Sequence, residues 1–159
     1  MAKDNLMVSE TTDRELVITR LLNAPRELVF KAWTDPKHIA QWWGPIGFTT
    51  TTNEMDVRAG GVWRFIMHGP DGTDYKNKIV YIEVKKPERL VYQHADDEGA
   101  EPVNFHVTVT FEKQDEKTKL TMRMLFETAA ELERVNREYG ATEGAYQTMD
   151  RLQEYVSRM

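Results

Sequence analysis

Val103-Asn104-Phe105-His106-Val107-Thr108-Val109-Thr110-Phe111 alternates apolar and polar residues along its whole length. Successive side chains of a strand point to opposite faces, so this stretch predicts a strand with Phe105, Val107, Val109 and Phe111 on one side. Leu120, Met122, Met124 and Phe126 repeat the alternation. Two neighbouring strands therefore present one apolar face, and that face needs a cover. Residues 129–159 supply it: Leu132, Val135 and Tyr139, then Ala145, Met149, Leu152 and Val156, recur at helical intervals with charges opposite. Gly140 and Gly144 interrupt this helix, each at a cost of about 1 kcal/mol against alanine, which predicts a bend or close packing near them.

Upstream, residues 48–57 and 62–68 read as a hairpin around Gly60-Gly61, and Gly69-Pro70-Asp71-Gly72 is a second turn. Strands follow over residues 75–84 and 90–95, separated by Lys85-Lys86-Pro87. Parity over 75–84 stays open, because Ile79 and Tyr81 compete with Val80, Ile82 and Val84 for the inner face. The acidic stretch 96–101 reads as a solvated loop. Residues 15–22 form a first strand that stops at Asn23-Ala24-Pro25, and Leu28, Val29, Ala32 and Trp33 then fall at helical spacing. Asp35-Pro36 starts a second short helix, which runs to about Trp43 and breaks at Gly44-Pro45. Residues 1–12 are polar and aperiodic, a loose leader, and 13–159 make one domain. The expected architecture is α+β: a curved antiparallel sheet of about seven strands, two short helices after the first strand, and a long C-terminal helix over an apolar cavity.

Composition narrows the chemistry. The chain has 159 residues, 40% of them apolar and 30% charged, within the globular range. A formal charge of −5 with interleaved bases disfavours a nucleic-acid partner. No apolar run approaches the length of a membrane span, and the N-terminus lacks the build of a signal peptide, so a cytoplasmic location is expected. Absent cysteines exclude disulfides and thiolate chemistry, and the only serines, Ser9 and Ser157, lie near the chain ends, away from any preorganised oxyanion site. His38, His68, His94 and His106 show no metal-ligand spacing. No catalytic residue, metal or cofactor is nominated.

Several ordered motifs carry a family resemblance: Ala24-Pro25-Arg26-Glu27-Leu28-Val29-Phe30, Ala32-Trp33-Thr34-Asp35-Pro36, Trp42-Trp43-Gly44-Pro45, Asp56-Val57-Arg58-Ala59-Gly60-Gly61, Pro87-Glu88-Arg89-Leu90 and Glu143-Gly144. Together they resemble the activator of heat-shock-protein-90 ATPase homologue family, a branch of the START-like or SRPBCC superfamily with the helix-grip fold. The eukaryotic cochaperone that names the family is similar to this chain only in its C-terminal domain. The resemblance implies a pocket for a small hydrophobic ligand, with two alternatives: polyketide cyclase or dehydratase chemistry by proton transfer, or a stress-response module whose partner is a chaperone.

Candidate ligand-binding residues follow from the apolar faces: Trp63, Phe65, Met67, Phe105, Val107, Val109, Met122, Met124 and Phe126 on the sheet, with Tyr139, Tyr146 and Met149 on the helix. The same residues would equally form a solid core, since interiors pack densely. Trp42 and Trp43 are adjacent and point roughly 100° apart on a helix, so one buries while the other faces cavity or solvent. Tyr75, Tyr81, Tyr92, Tyr139 and Tyr146 are the phenols that can orient a carbonyl. Asp56 and Arg58 read as a pair bracing the Gly60-Gly61 turn, and Arg64 and His68 as outward-facing.

Overall fold

The structure is a computed structural model that describes residues 8–11, 13–96 and 105–159. Most of the acidic loop expected over 96–101, and Val103 of the alternating strand, fall outside these residues. Eight strands form one antiparallel sheet: β1 (Val8–Thr11), β2 (Glu15–Leu22), β3 (Thr49–Met55), β4 (Val62–His68), β5 (Asp74–Lys85), β6 (Arg89–Asp96), β7 (Phe105–Gln114) and β8 (Lys117–Phe126). Their order is β1-β2-β8-β7-β6-β5-β4-β3, a six-stranded meander whose last strand pairs with β2. The alternation read in the sequence sets the register: Val107 faces Met124, Val109 faces Met122 and Phe111 faces Leu120. Val8–Thr11, in the segment expected to be loose, instead adds an edge strand to β2, which explains the eighth strand.

Helices α1 (Arg26–Thr34) and α2 (Pro36–Ile39) follow β2. Pro25 precedes α1, and the Asp35 carboxylate accepts from Lys37 N at the start of α2. The second helix ends at Ile39, short of the expected Trp43, although Trp43 N still donates to Ile39 O. At the C-terminus the single long helix expected is two: α3 (Ala129–Tyr139) and α4 (Ala141–Val156). Gly140 divides them at φ 61°, the left-handed region that glycine enters without a Cβ clash, and Asn136 Oδ1 then caps α4 through Thr142 N at 2.7 Å. Gly144 serves close packing, since a Cβ there would sit 3.3 Å from Pro45 Cγ.

Buried side chains from strands and helices form one core. Ile79 and Tyr81 point into it while Ile82 is exposed, and a bulge between Tyr81 and Glu83 then shifts the parity so that Val84 packs against the core. That bulge is why the sequence offered both faces of β5 as candidates. The Gly60-Gly61 turn is braced as expected, with Arg58 Nε donating to Asp56 Oδ2 at 2.7 Å. It also holds Tyr81 in place: Gly60 N donates to Tyr81 O at 2.8 Å and Tyr81 N to Gly61 O at 2.9 Å.

Candidate functional site: an aromatic pocket under a loop

Where the inner faces of β4, β5 and β6 meet the end of α2, the wall is aromatic. Trp33 from α1, Ile39 from α2, Trp43 from the loop after it, Trp63 from β4, Ile79 and Tyr81 from β5, and Leu90 and Tyr92 from β6 enclose about 190 Å³ of interatomic space, none of it wide enough for a water molecule. Trp43 meets the edges or faces of Trp33 at 5.6 Å, Trp42 at 5.5 Å and Trp63 at 5.0 Å between ring centroids. Trp63 in turn stacks on Phe65 at 3.9 Å. Among the described residues no charged side chain and no residue of α3 or α4 lines this space.

Of the expected ligand-binding residues, the structure brings Trp43 and Trp63 into this wall. Trp42 is fully buried and donates its indole N–H to Ala32 O at 3.1 Å, so it anchors the helix pair. Trp43 takes the other orientation expected of the pair and is the half-buried member of the wall, with the remaining lining residues buried. Phe65 backs Trp43 at 5.9 Å. Val107, Val109, Met122, Met124, Phe126 and Met149 lie in the common core outside the pocket wall. Phe105 stacks on His94 at 4.7 Å and meets Phe126 at 4.8 Å, while Met67 and Tyr146 are half-buried against the core. Tyr139 ends α3, and its side chain is outside those described. Arg64 pairs with Glu54 and His68 Nδ1 lies 2.8 Å from Asp74 Oδ1, both on the outer side of β4.

Five polar side-chain groups belong to the pocket residues: two phenols and three indole N–H groups. Tyr81 and Tyr92 are each 3% exposed, with centroids 6.2 Å apart. Burial pushes both phenols well above their ordinary pKa, and for Tyr92 the neighbouring Tyr81 adds to the effect. Both therefore stay protonated at neutral pH. Of the indoles, Trp63 donates its N–H to Thr52 Oγ1, whereas that of Trp33 is buried and has no acceptor among the described residues. An unpaired buried donor of this kind costs about 1–3 kcal/mol.

The roof is held from α4 by a residue the sequence did not single out. The Arg151 guanidinium lies against the loop carrying Trp43: Nη1 donates to Gly44 O at 2.9 Å and Pro45 O at 3.1 Å, with longer contacts to Phe48 O at 3.3 Å and Trp43 O at 3.4 Å. Its Nη2 donates to Gln41 O at 3.3 Å. Burial of the guanidinium lowers its pKa. Gly44 at φ 105° and Gly47 at φ 92° fold the loop tightly enough to turn these carbonyls toward one cation. Arg20 of β2 holds α4 from the other side, bonded to Asp150 at 2.9 Å and Gln153 at 3.1 Å.

A second space, an open groove of about 580 Å³, lies between α1, α2 and the end of α4, where His38 Nδ1 is 2.6 Å from the Tyr155 hydroxyl. Its rim carries Lys31 and Arg158, and no strand contributes to it. No group of His, Cys, Asp or Glu among the described residues is arranged to hold a metal ion, and no helix there is long and apolar enough to cross a membrane.

The family model of the activator of Hsp90 ATPase homolog 1-like proteins matches residues 23–157. The chain belongs to that family. Its fold is the helix-grip, START-like one, and similar solved structures share it. A solution structure from Arthrobacter aurescens is 24% identical, covers 96% of this chain and 92% of its own, and superposes with a TM-score of 0.88. A crystal structure from Nitrosomonas europaea is 22% identical over 94% of this chain and 97% of its own, with a TM-score of 0.81. One from Mycobacterium smegmatis is 24% identical over 94% of each chain, with a TM-score of 0.80. At these identities the likeness establishes the fold. No curated protein matches the chain.

Proposed function

We propose that this family member binds a small hydrophobic or aromatic molecule between the inner sheet face and the loop roof, without covalent catalysis. The observation that carries the reading is the aromatic pocket itself: five aromatic walls, no charge among the described lining residues, and side-chain polar atoms confined to three indole N–H groups and two phenols, one of the indoles buried without an acceptor among the described residues. Small-molecule sites have this composition, with apolar walls and a few polar groups that fix orientation.

Proton-transfer chemistry of the cyclase kind finds less support. A useful general acid or base has a pKa near the working pH, and burial drives Tyr81 and Tyr92 the other way. These phenols suit hydrogen bonding to a ligand oxygen. The open groove at the end of α4 supports the reading less well than the pocket, because its rim is charged and its volume continuous with solvent.

Native mass spectrometry of the purified protein, followed by denaturing extraction, looks for a stoichiometric apolar adduct. Thermal shift with lipid, flavonoid and aromatic polyketide panels then tests the empty protein. A ligand at a hundred times its Kd adds about 2.7 kcal/mol, which for a domain of this size raises Tm by about 5–10 °C. The absence of both an adduct and any rise above about 1 °C across the panels overturns the proposal.

A further inference from the structure

Resting on the pocket reading above, we infer that the Trp33 indole N–H is the specificity-determining donor of the site and that its ligand is an uncharged aromatic molecule presenting a hydrogen-bond acceptor, such as a ring ketone. Indole nitrogen donates and never accepts, so its polarity is fixed by covalent structure. Tyr81 and Tyr92 can donate or accept, and therefore follow whatever the ligand offers. Trp33 is 2% exposed and its Nε1 has no acceptor among the described residues, whereas the neighbouring Trp42 spends its N–H on Ala32 O and Trp63 bonds Thr52 Oγ1 at 3.1 Å. Of the three tryptophans that line the pocket, Trp33 is the one whose N–H is buried with no acceptor among the described residues.

Charge is excluded by the same surroundings. Among the described residues no acidic or basic side chain lines the pocket, so an ion entering it would lose its hydration without a counter-ion. The aromatic neighbours of Trp33 are Trp42, Trp43 and Phe111, each steeply inclined to its ring, and an N–H to a ring face is weak beside an N–H to a carbonyl acceptor. A ligand carbonyl would therefore replace a poor interaction with a good one, and a hydrocarbon of the same shape would not.

The test compares 1-indanone with indane, which differ by that carbonyl. Binding is followed by ¹⁵N-resolved NMR of the indole N–H resonances, with Trp33 assigned from Trp33→Phe. The expected result is about tenfold tighter binding of the ketone, a downfield shift of the Trp33 N–H with indanone but not with indane, and discrimination below about twofold in Trp33→Phe. Trp42→Phe should keep the tenfold preference. If Trp33→Phe fails to fold, the Trp33 resonance is assigned by elimination from Trp42→Phe, Trp43→Phe and Trp63→Phe, and its shift in the unaltered protein decides alone. Equal binding of both compounds with an unmoved Trp33 resonance overturns this inference and leaves the pocket intact. Discrimination that survives Trp33→Phe and vanishes in Tyr81→Phe or Tyr92→Phe also overturns it. Binding of neither compound, together with silence across the ligand panels, removes the pocket reading itself.

Discussion

Replacing Arg151 by methionine removes the cation that gathers the 41–48 loop while keeping most of the aliphatic stem that packs beside it. Five carbonyls face the guanidinium, and of the four that share Nη1 only those of Gly44 at 2.9 Å and Pro45 at 3.1 Å are short. Hydrogen bonds to a charged group contribute about 1.5–3 kcal/mol each when well buried, and Arg151 is only half-buried, so two bonds at the low end amount to about 2–3 kcal/mol. For a domain of this size that lowers Tm by about 5–10 °C. Calorimetry and urea titration measure it, with Arg158→Met as a control because Arg158 is exposed and only 3.7 Å from Glu154. Arg151→Lys should recover less than half the loss, since a compact ammonium cannot span carbonyls as far apart as those of Gln41 and Pro45. A folded Arg151→Met whose Tm falls by less than about 2 °C refutes the latch.

Gly61→Ala should cost roughly 3 kcal/mol or more, measured by urea titration, because its Cβ would lie 2.0 Å from Asp56 O and the clash is with backbone. Asp150→Ala should cost about 1–2 kcal/mol by the same assay: the Arg20 side chain is 3% exposed and loses a carboxylate, but keeps Gln153 and the Tyr146 carbonyl. The pKa of Tyr81 and Tyr92 is raised in the folded protein, so their contribution to stability is complete below the unfolded value of about 10 and is lost as pH climbs above it. Changing both to phenylalanine should therefore leave the native tyrosinate absorbance titration unchanged while reducing its amplitude in denaturant by two phenols.

The sheet was legible because its central strands are half-buried and alternate cleanly, as Val107 and Val109 do opposite Met124 and Met122. Alternation shows which face is inside but not where along that face space is left. The Met and Phe residues of β7 and β8 satisfy the pattern and pack as core, whereas the pocket formed two strands further on, around Tyr81 and Tyr92. A bulge hid the first of these by giving β5 two apparent inner faces. Arg151 carried no signal at all, because a charge on an amphipathic helix reads as solvent-facing until the loop it meets is known. Arg20 was hidden differently: it shares parity with Leu16, Ile18 and Leu22, and only its bonds to α4 explain a buried cation there.

A pocket too narrow for water admits a ligand only if a wall moves. Trp43 is the wall suited to it, since it is half-buried and sits on a loop tied down through carbonyls, whereas Trp63, Tyr81 and Tyr92 come from paired strands. The apparent affinity of such a site is its intrinsic affinity multiplied by the fraction of molecules with the roof open. Arg151 then acts on stability and on binding with opposite signs. Removing about 2 kcal/mol from the closed state alone raises the open fraction by up to about 30-fold while it is small, so Arg151→Met should melt earlier and yet bind its ligand more tightly and faster. A residue that merely braced the pocket would weaken binding as it weakened the fold. Titration of wild type and Arg151→Met with one ligand, at a temperature where both are folded, separates the two: tighter binding by the variant identifies the roof as the entrance, and weaker binding places the entrance elsewhere.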